Sequence, residues 1–158
     1  MKKFVIQVVF LIIVTFGALA IYASKITTLP FIPEKPKTNI VQINNTKVSV
    51  EIADTASKRK QGLGGRQSLA SDSGMLFVFE KPDVYKFWMK GLAFPLDLIW
   101  IKDSKIVDII KNATPPTPGQ KDETLPLYAP SQPIDKVLEV NGGFVDTYGI
   151  QVGDIIEI

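Results

Sequence analysis

Leu96-Asp97-Leu98-Ile99-Trp100-Ile101 is followed by Lys102-Asp103-Ser104-Lys105 and then by Ile106-Val107-Asp108-Ile109-Ile110. The first and third pieces are short apolar runs, and the second is polar with turn-forming residues. That order predicts two strands joined by a tight hairpin. Asp97 interrupts the first run. A carboxylate between leucines needs a partner, because an unpaired buried charge is costly.

The same reading extends in both directions. Ile40–Ile43 and Val48–Ile52 are short β-branched runs around Asn44-Asn45-Thr46-Lys47, and Asn tolerates a positive φ, so a hairpin is expected. Val48, Val50 and Ile52 alternate with Ser49 and Glu51, the period of a half-buried strand. Asp54 is placed to cap a short helix over Thr55–Gln61, with Lys58, Arg59 and Lys60 in its last turn and Gly62 just past its end. Met75–Phe79 and Tyr85–Lys90 read as strands around a Lys81-Pro82-Asp83 turn. Val137–Val140 and Asp154–Ile158 read as strands, and Gly142–Tyr148 as a short helix turning Phe144, Val145 and Tyr148 inward. Many short strands at close spacing predict an α+β, mostly β fold: a small rolled sheet or barrel with one or two short helices. Residues 112–136 hold six of the eleven prolines, and no periodic pattern, so they read as a long loop.

The chain has 158 residues, a length that suggests one folded domain, here 39–158. Before it lies Phe4–Ala23, 20 residues without charge, preceded by Lys2 and Lys3. That run is long enough to cross a bilayer as a helix. The two lysines favour a cytoplasmic N-terminus and a domain sent outside the cytoplasm. Residues 1–23 are therefore expected to be a membrane anchor. A cleaved signal is the alternative, with Ala18-Leu19-Ala20 as the processing site; the domain would then be secreted or periplasmic. Residues 24–38, with Pro30, Pro33 and Pro36, read as an extended linker.

Composition excludes several chemistries. Cysteine and histidine are both absent, so disulfides, thiolate nucleophiles, and Ser-His-Asp and Cys-His arrangements cannot be built. No metal site and no cofactor are expected. The 18 basic residues less Lys2 and Lys3 balance the 16 acidic ones, so the rest of the chain is neutral, which argues against a nucleic-acid partner.

Several stretches together resemble one family. They are Gln61-Gly62-Leu63-Gly64-Gly65-Arg66, Gly74-Met75-Leu76-Phe77-Val78-Phe79, Phe87-Trp88-Met89-Lys90, Pro95-Leu96-Asp97, Val137-Leu138-Glu139-Val140-Asn141-Gly142-Gly143 and Gly149-Ile150-Gln151-Val152-Gly153-Asp154. Their order and spacing are similar to the domain-of-unknown-function 192 family of small bacterial and archaeal proteins, over about residues 39–158. The resemblance implies a β-rich fold behind a signal or membrane segment, and it implies no activity. The chain departs from the pattern at Gly91-Leu92, where the family has Asn-Thr, and at Leu125, where many members have cysteine.

Three candidate sites follow. The first is Trp88, Lys90 and Asp97, with Arg66 or Lys90 as the partner of Asp97. It would be an aromatic wall with paired charges, suited to a polar ligand; the competing reading is an ion pair closing one end of a barrel. The second is Gly62–Arg66, an anion nest in one reading and a plain helix stop in the other. The third is Glu139 with Asn141, Gly142 and Gly143, though alternation with Leu138 and Val140 gives Glu139 the pattern of a solvated strand face. The expected function is an extracytoplasmic binding or accessory domain for a small polar or envelope saccharide ligand, with Arg66, Trp88, Lys90 and Asp97 converging on one mouth of the sheet. A carboxylate-dependent hydrolase of envelope polymers, using Asp97 and Glu139, is the enzymatic alternative. A structural domain docking a partner through its proline-rich loop is the third reading.

Overall fold

The computed structural model describes residues 38–158. The expected anchor at 1–23 lies outside the described residues, as does the linker at 24–38 except for Thr38. Among the described residues no helix is long and apolar enough to cross a membrane.

The chain forms β1 (Thr38–Ile43), β2 (Thr46–Ala53), α1 (Ala56–Gln61), β3 (Ser73–Asp83), β4 (Leu96–Lys102), β5 (Lys105–Ala113), β6 (Ile134–Asn141), α2 (Phe144–Tyr148) and β7 (Ile156–Glu157), with one turn of 3-10 helix at Asp122–Thr124. All seven strands make one sheet in the order β5-β4-β6-β3-β2-β1-β7. Only β2 and β3 run parallel, joined across the sheet face by α1 and its following loop. The sheet is a half-barrel. It curls until one end of β5 reaches the chain before β7, where Lys105 bridges Ile155 and the Ile106 amide donates to the Asp154 carbonyl at 2.9 Å.

Both hairpins form as the sequence predicts, with Asn44 and Asp103 at positive φ in their turns. The predicted turn at Lys81-Pro82-Asp83 is instead the end of β3. The predicted strand Tyr85–Lys90 is irregular, held by one bridge between Phe87 and Tyr128. The physical reason is that its apolar side chains cover the sheet rather than join it. Thr55, not Asp54, caps α1: its hydroxyl accepts from the Lys58 amide, while Asp54 pairs with the Lys58 ammonium at 2.8 Å.

The central strands β3, β4 and β6 are covered on both faces over most of their length. Inside the roll lie Val41, Ile43, Val48, Val50, Leu76, Ile99, Ile101, Leu138 and Val140, plugged by Phe144 and Val145 of α2. Tyr148 does not join them; it is 46% exposed, and its ring lies tilted against that of Phe144 with centroids 4.4 Å apart. Outside lie Met75, Phe77, Leu96, Leu98, Trp100 and Val137, covered by Leu63, Met89 and the aromatic residues of the irregular segment. Leu96–Ile101 is buried throughout because β4 is central and covered on both sides.

Asp97 ties this architecture together. It is 0% exposed. One carboxylate oxygen accepts from the Asn112 amide at 2.8 Å and the Gly143 amide at 3.2 Å. The other accepts from the Val145 amide at 2.8 Å. One side chain on β4 thus satisfies the end of β5 and the first turn of α2.

Candidate functional site

The outer face of the sheet carries a row of residues in register: Glu51 on β2, Met75 on β3, Glu139 on β6 and Leu98 on β4. Parity along the strands puts all four on the same side. Glu139 therefore sits between two buried apolar side chains. It is 5% exposed, not solvated as its alternating pattern predicts. The alternation is real, but here both faces are covered, so the polar position of the strand is buried too. Gly74 helps to set it in place, because a Cβ there would come within 2.6 Å of the Glu139 carbonyl oxygen.

Among the described residues no side chain pairs with the Glu139 carboxyl, and burial alone pushes its pKa up to about 8. Glu139 does border open space. It lines a cleft of about 280 Å³. Phe77, Phe79, Tyr85, Phe87 and Trp88 contribute the aromatic walls, and α1 with Gly62, Leu63 and Gly64 the opposite side. The walls are packed by one another. Phe79 and Tyr85 stack at 3.6 Å, and Phe77 and Phe87 meet edge to face at 5.0 Å. Arg59 lies over the Phe79 ring at 5.3 Å and donates to the Asp54 and Val78 carbonyls, which pins α1 to β3. The irregular segment is tied to the proline-rich loop by two backbone hydrogen bonds of 2.8 Å between Phe87 and Tyr128. Its Lys90 pairs with Asp122 of that loop.

The four sequence-predicted site residues do not converge. Trp88 and Lys90 line this cleft; Trp88 is 49% exposed, and the Lys90 ammonium lies 5.3 Å from its ring centroid. Arg66 lies in a second groove, which shares Gln61 and Gly62 with the first. Its guanidinium forks onto the two oxygens of Glu51 at 2.6 and 2.8 Å. That pair lowers the Glu51 pKa and raises that of Arg66. Asp97 points to the inner face of the sheet and lines neither. Its partners are backbone amides rather than Lys90 or Arg66, which belong to the other face.

The glycine-rich segment is a helix stop. Gly62 has φ +51° and its amide closes α1 onto the Lys58 carbonyl. The amides of Gly64, Gly65 and Arg66 donate to the Gln61, Gly91 and Leu63 carbonyls, so no anion nest forms. Among the described residues no cluster of carboxylates suits a metal ion.

Comparison with known proteins bears on the fold. No curated protein matches the chain. A crystal structure from Sinorhizobium meliloti 1021, of a protein described as a proposed transcription regulator, is 32% identical; it covers 78% of this chain and 95% of its own, with a TM-score of 0.69. A protein of unknown function from Novosphingobium aromaticivorans DSM 12444 is 27% identical, over 84% of this chain and 94% of its own, with a TM-score of 0.71. The model of one family, described as uncharacterized ACR, matches residues 39–158, the whole of the β-rich domain. The chain belongs to the domain-of-unknown-function 192 family.

Proposed function

We propose that the domain is a binding module for a small polar ligand of the saccharide type, held in the cleft between Trp88 and Glu139. The observation that carries this reading is the Glu139 carboxyl. Glu139 is buried, its carboxyl has no side-chain partner among the described residues, and it lines a cleft walled by aromatic rings. A group so placed costs the fold stability once it ionises, and such groups cluster at functional sites. A neutral carboxyl both donates and accepts a hydrogen bond, which suits a hydroxyl or amide. The exposed Trp88 ring offers a flat apolar surface beside it, and Lys90 a cation. Small-molecule sites combine these features: apolar walls with a few converging polar groups.

Display outside the cytoplasm on the Phe4–Ala23 segment belongs to the same proposal and rests on that uncharged run. The regulator description of the Sinorhizobium relative raises a nucleic-acid reading. The balanced charge of residues 4–158 speaks against it. The hydrolase reading loses its residue pair, since Asp97 and Glu139 project from opposite faces of the sheet.

Trp88 fluorescence tests the proposal. Trp100 is the other tryptophan; it is buried, and its Nε1 has no hydrogen-bond partner among the described residues, so phenylalanine there removes an unpaired donor as well as background emission. In the Trp100→Phe background, titration with lactose and other neutral oligosaccharides is expected to shift Trp88 emission. Trp88→Ala, followed by calorimetry, is expected to weaken binding about tenfold. Unchanged affinity would remove Trp88 from the site.

A further inference from the structure

The cleft concentrates positive charge, although residues 4–158 as a whole are neutral. Five ionisable side chains line it: Arg59, Lys60, Lys86, Lys90 and Glu139. Four are cationic. Arg59 is held by two backbone carbonyls and Lys90 by the exposed Asp122. Lys60 and Lys86 are exposed on opposite sides of the cleft, one on α1 and one on the irregular segment, and neither has an ion-pair partner among the described residues.

We propose that the ligand of this cleft is an anionic saccharide, its acidic group lying between the Lys60, Lys86 and Lys90 ammonium groups while its hydroxyls reach Glu139 at the floor. This rests on the cleft being a ligand site at all. The one carboxyl present does not oppose it, because Glu139 keeps its proton at neutral pH and carries no charge to repel an anion. The aromatic walls lower the local dielectric, so the rim cations act more strongly than lysines on an open surface. A cationic sugar has the opposite fit: it would face four like charges and gain no carboxylate.

The test uses the full chain in detergent and three matched pairs of probes. They are lactose and sialyllactose, glucose and glucose 6-phosphate, and methyl-esterified and free trigalacturonate. The expected result is that the anionic member of at least one pair binds about tenfold tighter at low salt, with the ratio shrinking as sodium chloride is added. The glucose pair against the other two separates a phosphate ligand from a carboxylate one. The double variant Lys60→Gln/Lys86→Gln is expected to bring the ratio close to one and leave affinity for the neutral member unchanged. Equal affinity within every pair overturns the anion inference and leaves the cleft a neutral-saccharide site. Binding of no probe overturns both readings.

Discussion

Replacing Asp97 with alanine is expected to destabilise the domain by about 4 kcal/mol, the largest loss of any polar substitution in it. Three backbone amides would lose their acceptor: that of Val145, which is buried, and those of Asn112 and Gly143, which are partly so. Water would have to replace the carboxylate at the junction of β4, β5 and α2. The milder Asp97→Asn is the sharper test. Asparagine has one carbonyl oxygen where aspartate has two acceptors, and its amide nitrogen is itself a donor. Whichever way it turns, an N–H of the side chain faces an N–H of the backbone, so a loss of about 2 kcal/mol is expected. Chemical denaturation of both variants measures the change. An unchanged midpoint for Asp97→Asn would mean that the three amides do not depend on this side chain. Because Asp97 lines neither groove, the folded fraction of either variant should bind oligosaccharide as the parent does.

The second large effect is a pH dependence with one residue at its origin. In the unfolded chain Glu139 loses its proton near 4.5, and in the folded domain near 8. Between those values the folded state holds one more proton than the unfolded state. Raising the pH therefore favours unfolding, and the loss is complete once the pH passes about 8. The full effect is on the order of 5 kcal/mol. Glu139→Gln keeps the shape and has no proton to lose. Between pH 5 and pH 9 the parent should lose stability that the variant keeps, so the variant should be the more stable at pH 9 by a few kcal/mol. Parallel stability curves for the two proteins would contradict the assignment. The Arg66–Glu51 pair acts in the opposite direction: its stabilisation is present above the usual carboxylate range and is lost on acidification. The two effects are thus separable by pH.

Glu139 is the residue that local pattern hides. Val137-Leu138-Glu139-Val140 has the alternation of a strand with one wet face, and in a sheet covered on one side only the glutamate would be wet. What covers this outer face of the sheet is remote in sequence: Leu63 after α1, Met89 in the irregular segment, and Leu92 just past it. No local pattern around residue 139 carries that information. The hairpins at Asn44-Asn45 and Asp103-Ser104 were legible because turn chemistry is local, and so was the helix stop at Gly62. The segment Tyr85–Lys90 has strand propensity and no strand partner; its aromatic side chains pack down on Phe77, Phe79 and Trp100, and tertiary packing overrides the pattern. Asp97 could be recognised as a buried carboxylate from its apolar neighbours. Its partners could not, since backbone amides from residues 112, 143 and 145 meet there only after the sheet has rolled.

The functional reading thus reduces to one side chain and its surroundings. A carboxyl that had an unseen partner, or that reached water freely, would give the cleft no polar floor and the bound saccharide no specific contact. The direct measurement is a site-resolved carbon NMR titration of the Glu139 carboxyl in the unliganded protein, assigned with Glu139→Gln. A midpoint near 8 is the result expected for a buried group facing the cleft alone. A midpoint near 4.5 would show a solvated or paired carboxylate, and the proposed site would lose its floor.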